Sequence, residues 1–253
     1  DHLTDSPEDS NARRLRVQVV IRLKFEGTDH LLGALDDLDA LDEQTTQDSY
    51  TRSIIFEQLE DLPEAIEAAR AATATDDESA SARATGRMLD LMLKAGEVEE
   101  ALEIALANDW VQFAADAAAQ LEDPRMAIQY YTQALDRTAS LAATAGDDIA
   151  ANIRARVLLK RASAYQVQAA WPEADADYVA AARIVPDDPM IPFNRGVVTF
   201  HMGRVAAARV LLTEAAEAAS DYIKRLMTEA AAEDDALAAL WREIAGDPED
   251  DEA

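Results

Sequence analysis

Side chains that could carry out acid–base or metal chemistry are present in this chain, but their spacing does not suit a reaction. The histidines His2, His30 and His201 lie far apart, and no two of them have the spacing that puts two metal ligands on one helix face. The chain has no cysteine, which excludes disulfides and thiolate metal sites, and it has neither a glycine-rich phosphate loop nor a nucleophile-elbow serine. Acid pairs such as Asp175 and Asp177 are expected by chance among 50 acidic residues and indicate solvated helix faces. We therefore expect no catalytic residues, no metal and no cofactor, that is, not an enzyme.

The basic residues are more informative because they are scarce. The 253 residues include 50 Asp and Glu but only 23 Lys and Arg, so the formal net charge is −27. Residues 150–210 depart from this balance, with eight basic residues against five acidic ones. The basic residues of this segment are Arg154, Arg156, Lys160, Arg161, Arg183, Arg195, Arg204 and Arg209. Two hypotheses explain them: they neutralise acidic neighbours across helix pairs, or they form a surface that binds an acidic or polar segment of a partner.

The excess of acidic residues in the whole chain argues against nucleic acid as a partner and favours a high-salt environment. Nucleic acid is not expected, because phosphate binding requires clustered Lys and Arg. Either the chain works at very high salt, where screening removes the repulsion among its carboxylates, or it has a basic partner. The spread of acids through nearly every segment and the scarcity of lysine favour the first, a halophile-like protein. No apolar run reaches the length of a membrane span and no secretory signal is visible, so a cytoplasmic location is expected.

Two consecutive helix-turn-helix units position these basic residues. They occupy residues 158–219, and Ala174 and Ala208 mark equivalent points 34 residues apart. The first of these two repeats has a small-aromatic-small pattern at Ala174, Tyr178 and Ala181. The same pattern occurs once upstream, at Ala127, Tyr131 and Ala134. This period of paired helices resembles that of the tetratricopeptide repeat family. The resemblance is clearest for residues 108–219 and weaker for residues 47–106.

The resemblance implies an all-α fold, a right-handed superhelical solenoid of about six helix-turn-helix repeats. We expect the repeat domain to span residues 11–245 and to end in a capping helix pair, residues 222–232 and 236–244. Residues 1–10 are expected to be a disordered lead, and residues 246–253 a disordered acidic tail. The stretch around Gly146, Asp147 and Asp148 indicates a loop longer than the usual turn of the family.

The first ordered segment, residues 11–25, carries a mixed signal. Its apolar residues alternate with polar ones, which is typical of a strand, but no other segment alternates and a lone strand would leave backbone groups unpaired. We therefore predict a helix. It contains no acid, and its basic residues are Arg13, Arg14, Arg16, Arg22 and Lys24. Three roles are open for them: pairing with acids of the next helix, contact with another protein, or contact with an anionic membrane surface, which is the least favoured.

The resemblance also implies which side chains face a partner, because in that family the first helices of successive repeats line a concave groove. The implied residues are Arg83, Arg87 and Lys94 in one repeat, Arg156, Lys160 and Ser163 in a later one, and Phe193, Asn194, Val197, Phe200 and His201 in the last. Both Phe193 and Phe200 have core packing as their alternative role.

Arg156 and Lys160 are four residues apart and therefore share one helix face. Together with Asn194 they resemble the family's carboxylate clamp, in which basic side chains and asparagines bind a terminal carboxylate. The family places its asparagine one repeat before the basic pair, where this chain has Phe113. A general groove for an acidic or polar segment is therefore the stronger expectation.

The function that follows is a non-enzymatic protein–protein interaction scaffold or adaptor that docks a partner protein or peptide in a concave groove. The alternative is a regulatory or sensory peptide-binding module of a larger assembly. A gene neighbourhood that holds a kinase, a transcription regulator or a secretion ATPase would favour this alternative.

Overall fold

The computed structural model describes residues 9–23 and 27–246, and within these residues all regular structure is helical. The fourteen helices are α1 Ser10–Leu23, α2 Asp29–Asp39, α3 Thr46–Gln58, α4 Leu62–Ala72, α5 Glu78–Ala95, α6 Val98–Ala107, α7 Val111–Ala118, α8 Pro124–Ala145, α9 Asp147–Val167, α10 Trp171–Ala182, α11 Met190–His201, α12 Val205–Ala218, α13 Asp221–Ala231 and α14 Asp235–Ala245. The all-α prediction is confirmed. Most of the expected lead and tail, residues 1–8 and 247–253, lies outside the described residues.

The helix beginnings are encoded locally. Six of them have an Asp, Ser or Thr at the N-cap whose side-chain oxygen accepts a backbone N–H of the first turn, namely those capped by Thr45, Asp61, Asp77, Asp123, Ser220 and Asp234. Such caps satisfy N–H groups that have no partner inside the helix. They therefore set where each helix starts.

Several helix pairs are joined by the same tight turn. In each of these turns one residue has a positive φ and stands two positions before the next helix. These residues are Glu60, Gly96, Asp109, Ala169 and Gly203. Glycine adopts this left-handed conformation at no steric cost, whereas the other three residues adopt it under strain.

Helix α1 is the segment whose alternation of apolar and polar residues is typical of a strand but which was predicted to be a helix. The helix prediction is confirmed over Ser10–Leu23. Residues 24–26, which include Lys24, lie outside the described residues. The alternation arises because arginines separate the apolar residues, and only Val17 is buried.

Three arginines of α1 pair with acids of the next two helices. Both Arg13 and Arg16 bind Asp37, and Arg14 binds Asp48 through two hydrogen bonds of 2.9 and 2.8 Å. Of the three roles considered for these residues, pairing with the following helices is the one observed.

The chain divides into two compact units, Asp1–Ile104 and Ala105–Ala253, with the boundary inside α6. In the first unit α3 packs on α4 and α4 on α5, while α1 and α2 form a small core of their own with α3. That core consists of Val17, Leu31, Ala34, Leu38, Leu41 and Ile55.

In the second unit each helix from α7 to α12 packs mainly on its neighbours in sequence. The anchors Ala174 and Ala208 are completely buried, as their equivalence in the repeat predicts. The last two helices pack on α11 and α12 around a core cluster that contains Phe193, Leu212 and Trp241.

The α8–α9 hairpin differs from the expected long loop. Gly146 alone separates α8, with 22 residues, from α9, with 21, and Asp147 and Asp148 are the first turn of α9. The positive φ of Gly146, 93°, permits so short a connection. The residues that were expected to lengthen the loop, Asp147 and Asp148, therefore belong to helix α9.

Candidate partner-binding surface

A groove opens between α7, α8 and α9 in the second unit. It has a volume of about 300 Å³, and small or apolar side chains form most of its wall. Its lining residues are Ala118, Ala119, Leu121, Glu122, Pro124, Ala127, Tyr131, Lys160, Ser163, Ala164 and Val167. We call it the proximal groove. It brings together two of the residues selected from sequence, Lys160 and Ser163.

The polar groups of the proximal groove lie along α9 and on its neighbours. Lys160 Nζ is 3.2 Å from Asp116 Oδ1 on α7, and both side chains remain partly exposed. Burial, with a smaller contribution from the charge of Asp116, raises the pKa of Tyr131 above its ordinary value. A neutral phenol and a weakly held ammonium group therefore border a largely apolar wall, whose other polar residues are Glu122 and Ser163.

Arg156 stands one turn before Lys160 on α9 and is exposed. Within residues 9–23 and 27–246 it makes no ion pair or hydrogen bond. It is thus a cation available to a partner on the same helix face as Lys160.

Other arginines of the basic segment are held by intramolecular contacts. Arg161 binds both carboxylate oxygens of Asp177 at 2.7 and 2.8 Å and donates to Thr132 Oγ1 at 2.9 Å. Arg195 donates to Asp175 at 2.9 Å. Neutralisation across helices therefore accounts for these two, but not for Arg156.

The residues selected in the first unit form a cluster on α3 and α5. Arg87 donates to the hydroxyl and the carbonyl of Ser53 and to Glu57, which Lys94 also contacts. The hydrogen bond from Lys94 is the largest cause of the lowered pKa of Glu57, and Arg87 adds to it against the effect of burial. Both cations are therefore engaged by Glu57.

Arg83 lies at the exposed edge of the same cluster. Its guanidinium is 5.5 Å from the centre of the Tyr50 ring, and that of Arg87 is 5.7 Å from the same centre. Arg83 is exposed and makes no ion pair with any residue in the described part of the chain. Of the three residues selected in this repeat, Arg83 is the one with an available charge.

Phe193 does not line an accessible surface. Its side chain is 1% exposed and meets the Trp241 ring edge-on, with ring centres 5.2 Å apart. The reason is that α13 and α14 pack over this face of α11, so the core role is the observed one. Val197 and Phe200 are partly buried against the same core cluster.

His201 and Asn194 remain nearer the surface of α11. The His201 ring is exposed and stacks on Trp171 of α10, with centres 4.6 Å apart and planes inclined by 13°. Asn194 is half-buried, and its side chain makes no hydrogen bond among the described residues. Neither residue lines the proximal groove.

A second groove, absent from the sequence prediction, lies at the other end of α7. It has a volume of about 350 Å³, and Trp110, Phe113, Leu141 and Ile153 form its large apolar walls. The remaining lining residues are Asp109, Val111 and Gln112. We call it the distal groove. The sequence signal for it was the regular spacing of Ile149, Ile153, Arg156, Lys160, Ser163 and Val167, which puts these residues on one face of α9.

Residues 9–23 and 27–246 contain neither a metal-ion cluster nor a membrane-spanning helix. No group of three or more His, Asp or Glu side chains is placed to hold a metal ion there. In that part of the chain, no helix combines the length and apolar character needed to cross a bilayer.

Comparison with known proteins gives a result for structure alone. No protein-family model and no curated protein matches the chain. Among solved structures, the C-terminal part of a TPR repeat-containing protein from Cytophaga hutchinsonii matches 93% of this chain and 97% of its own, with 12% identity and a TM-score of 0.56.

Two further structures match with TM-scores below 0.5 and carry no weight for the fold. BtubC (BKLC) from P. vanneervenii has a TM-score of 0.46 at 15% identity, with 85% of this chain and 91% of that chain covered. The TPR2AB domain of yeast Sti1, in complex with pHSP90, has a TM-score of 0.28 at 16% identity, with 79% and 98% covered. On the helix pairing described above and the Cytophaga match, the chain has the all-α helical-repeat fold of tetratricopeptide repeat proteins.

Proposed function

We propose that the protein is a non-enzymatic interaction scaffold or adaptor that docks a segment of a partner protein along α9. The observation that carries this proposal is the proximal groove, where an apolar wall of small residues is bordered by Lys160 and continues towards the unpaired Arg156. Helical-repeat proteins commonly use such extended surfaces for binding. Fold analogy alone does not establish a function, so the proposal rests on this surface.

The chemistry of the proximal groove selects the kind of segment it would accept. Alanines leave room for a partner's side chains, and Val167 at one end is 74% exposed. The Lys160–Asp116 pair is surface-exposed and contributes only about 0–1 kcal/mol, so a partner carboxylate can compete for Lys160. Arg156 supplies a second cation one turn away. A segment with small apolar residues and acidic or polar groups fits this pattern.

The proposed setting is the cytoplasm of an organism that accumulates salt. The net charge of −27 repels any acidic segment at long range in dilute buffer. At about 1 M salt the Debye length falls to about 3 Å, so only contacts at the groove itself still act. High salt therefore makes the proposed partner chemistry compatible with the overall charge.

The test is a quantitative pull-down from a high-salt lysate with wild type and the double variant Arg156→Glu, Lys160→Glu. A matched control carries the same charge change at Arg204→Glu and Arg225→Glu, which are exposed and make no ion pair in the described part of the second unit. We expect the double variant to lose partners that wild type and control retain. Identical partner sets for all three proteins would rule out the α9 surface as the docking site.

A further inference from the structure

Helix α1 exposes a row of apolar side chains to solvent. Leu15, Val19 and Leu23 are 52%, 39% and 61% exposed and follow one another at a spacing of four residues. At about 100° per residue, Leu15 and Val19 lie roughly 160° around the helix from Val17, its buried side chain. The row therefore faces away from the small core that α1 shares with α2 and α3. We call these three residues the α1 stripe.

No other helix in residues 9–23 and 27–246 exposes as many large apolar side chains. The remaining ones are one on α2 and two each on α9, α12 and α13. Single exposed apolar residues are normal on a protein surface, whereas a contiguous row marks an interaction site. Side chains four residues apart also form the ridge that fits the grooves of a second helix in the commonest class of helix packing. The α1 stripe is therefore suited to contact another helix.

The charge on α1 differs from that of the rest of the chain. Within the described residues only α1 and α11 contain no acid, and α11 exposes no large apolar side chain. Arg22 adjoins the stripe, is exposed and makes no ion pair with any described residue. The nearest acid before the helix, Asp9, accepts the backbone N–H of Asn11 at the helix start.

The acids of the neighbouring helix α2 lie on the other side of α1. Asp37 is bound by both Arg13 and Arg16. Asp29 and Asp36 are exposed, but α2 packs on the side of α1 that faces the small core, opposite the stripe. The stripe is thus an acid-free apolar surface in a chain whose net charge is −27.

These properties favour a second copy of the same chain as the occupant of the stripe. Two copies of charge −27 repel one another, and they approach at the lowest cost where neither presents a carboxylate. A two-fold symmetric contact brings the same face of both copies together, so that face must be complementary to itself. An acid-free apolar row meets this condition. The exposed pair Tyr222 and Leu226 on α13 does not, because it lies between Asp221 and Glu229.

We propose that the protein forms a symmetric dimer through the α1 stripe, with Val19 of each copy near the two-fold axis. Val19 is the middle residue of the row, so it meets its counterpart whichever way the second helix runs. The 14 residues of α1 span about 21 Å, and a helix is about 10–12 Å wide, so the interface is small and the dimer dissociates reversibly. The stripe shares no residue with the proximal groove, and the dimer does not depend on that groove binding a partner.

Sedimentation velocity of the whole chain at several protein concentrations measures the association. About 1 M KCl is the buffer, because the Debye length is then about 3 Å and long-range repulsion between copies is screened. We expect a monomer–dimer equilibrium with a dissociation constant on the order of 100 μM, in keeping with an interface below about 1,200 Å². No species larger than the dimer is expected, because a two-fold contact uses up the stripe of both copies.

Single substitutions at exposed positions assign the dimer to the stripe. Val19→Asp should weaken it by about tenfold or more, because two carboxylates would meet near the two-fold axis. Leu15→Asn removes one apolar contact from each copy and should weaken it about tenfold. Val210→Asp is the matched control for Val19→Asp, since Val210 of α12 is 67% exposed, and it should dimerise as wild type does. Far-ultraviolet circular dichroism checks that each variant is folded.

The chain has no cysteine, so one engineered thiol reports on the symmetric contact. Val19→Cys treated with a short bismaleimide should give cross-linked dimers, whereas Val210→Cys should stay monomeric. Three sedimentation results would each overturn the proposal: a chain that is monomeric at every concentration, assembly beyond the dimer, or a dimer that Val19→Asp and Leu15→Asn both leave intact. Equal cross-linking of the two cysteine variants would overturn it as well.

Discussion

Gly196 of α11 allows a close approach to α12 that a single methyl group would disturb. A Cβ built on Gly196 would lie 2.7 Å from both Cγ and Cδ2 of Leu212 and 3.4 Å from the Leu212 backbone nitrogen. Contacts of 2.7 Å between carbons do not occur without movement, and Leu212 is completely buried in the core cluster with Phe193 and Trp241. Gly196→Ala must therefore displace a completely buried side chain.

The expected size of the effect follows from two opposing contributions. Overpacking a well-filled core costs about 1–3 kcal/mol. Alanine is about 1 kcal/mol more favourable than glycine inside a helix, which opposes the loss. We expect Gly196→Ala to lower the free energy of unfolding by about 1 kcal/mol. Gly33→Ala in α2 is the matched control, because nothing lies within 4 Å of its Cβ and it should gain about 0.5–1 kcal/mol.

Urea unfolding followed by tryptophan fluorescence is the assay for Gly196→Ala, because all three tryptophans lie in the second unit. Far-ultraviolet circular dichroism reports on Gly33→Ala in the first unit. A double-mutant cycle with Leu212→Ala tests the cause, since Gly196→Ala should be neutral or stabilising once the Leu212 side chain is removed. An unfolding midpoint of Gly196→Ala at or above that of wild type would refute the reasoning.

Four further outcomes are expected. Ala169→Gly should raise the free energy of unfolding by about 1 kcal/mol, because Ala169 has φ of 54° in a turn where Gly96 and Gly203 occupy equivalent places; an unchanged urea midpoint would contradict this. Asp177→Ala should lower the free energy of unfolding by about 2–3 kcal/mol, because the largely buried Arg161 loses both hydrogen bonds to the Asp177 carboxylate. Calorimetry at constant salt measures the change. Burial raises the pKa of Asp48, but hydrogen bonds from Arg14 and from the capping box with Thr45 outweigh burial, so the pKa in the folded protein is lowered. The contribution of ionised Asp48 to the free energy of unfolding is therefore complete above about pH 4 and is lost as the pH falls further. Asp48→Asn should make the free energy of unfolding depend less on pH in the acid range, as measured by unfolding at several pH values. Dilution below about 0.5 M salt should unfold the chain as screening weakens, and a circular dichroism spectrum that stays fully helical in dilute buffer would count against the halophile hypothesis.

The helical architecture could be predicted because small residues recur at a fixed period. Ala174 and Ala208 are buried at equivalent points, and the caps at Asp61 and Asp234 stand where Asp precedes an apolar run. Both signals are local in sequence. The length of the α8–α9 hairpin was missed because a glycine followed by two aspartates is typical of loops, whereas here the glycine turns the chain and the aspartates begin a helix.

The binding surface was less predictable, because it depends on which acid each cation meets. Arg87 and Arg156 look alike in sequence, yet Arg87 is engaged by Ser53 and Glu57 while Arg156 is unpaired within the described residues. A capping helix pair was expected after the last repeat, but the sequence did not indicate that α13 and α14 would cover the face of α11 that carries Phe193. Such pairings join residues more than twenty positions apart and require the packed structure.

The three-helix contact of Arg161 has a consequence for how the second unit loses its structure. In a row of helices that touch mainly their neighbours, unfolding can begin at any junction and spread from it. Arg161 stands on α9 but binds Thr132 of α8 and Asp177 of α10, so separating either neighbour breaks the same guanidinium network. Residues of these three helices should therefore open as one cooperative segment, and the helix that carries both grooves lies in the middle of it.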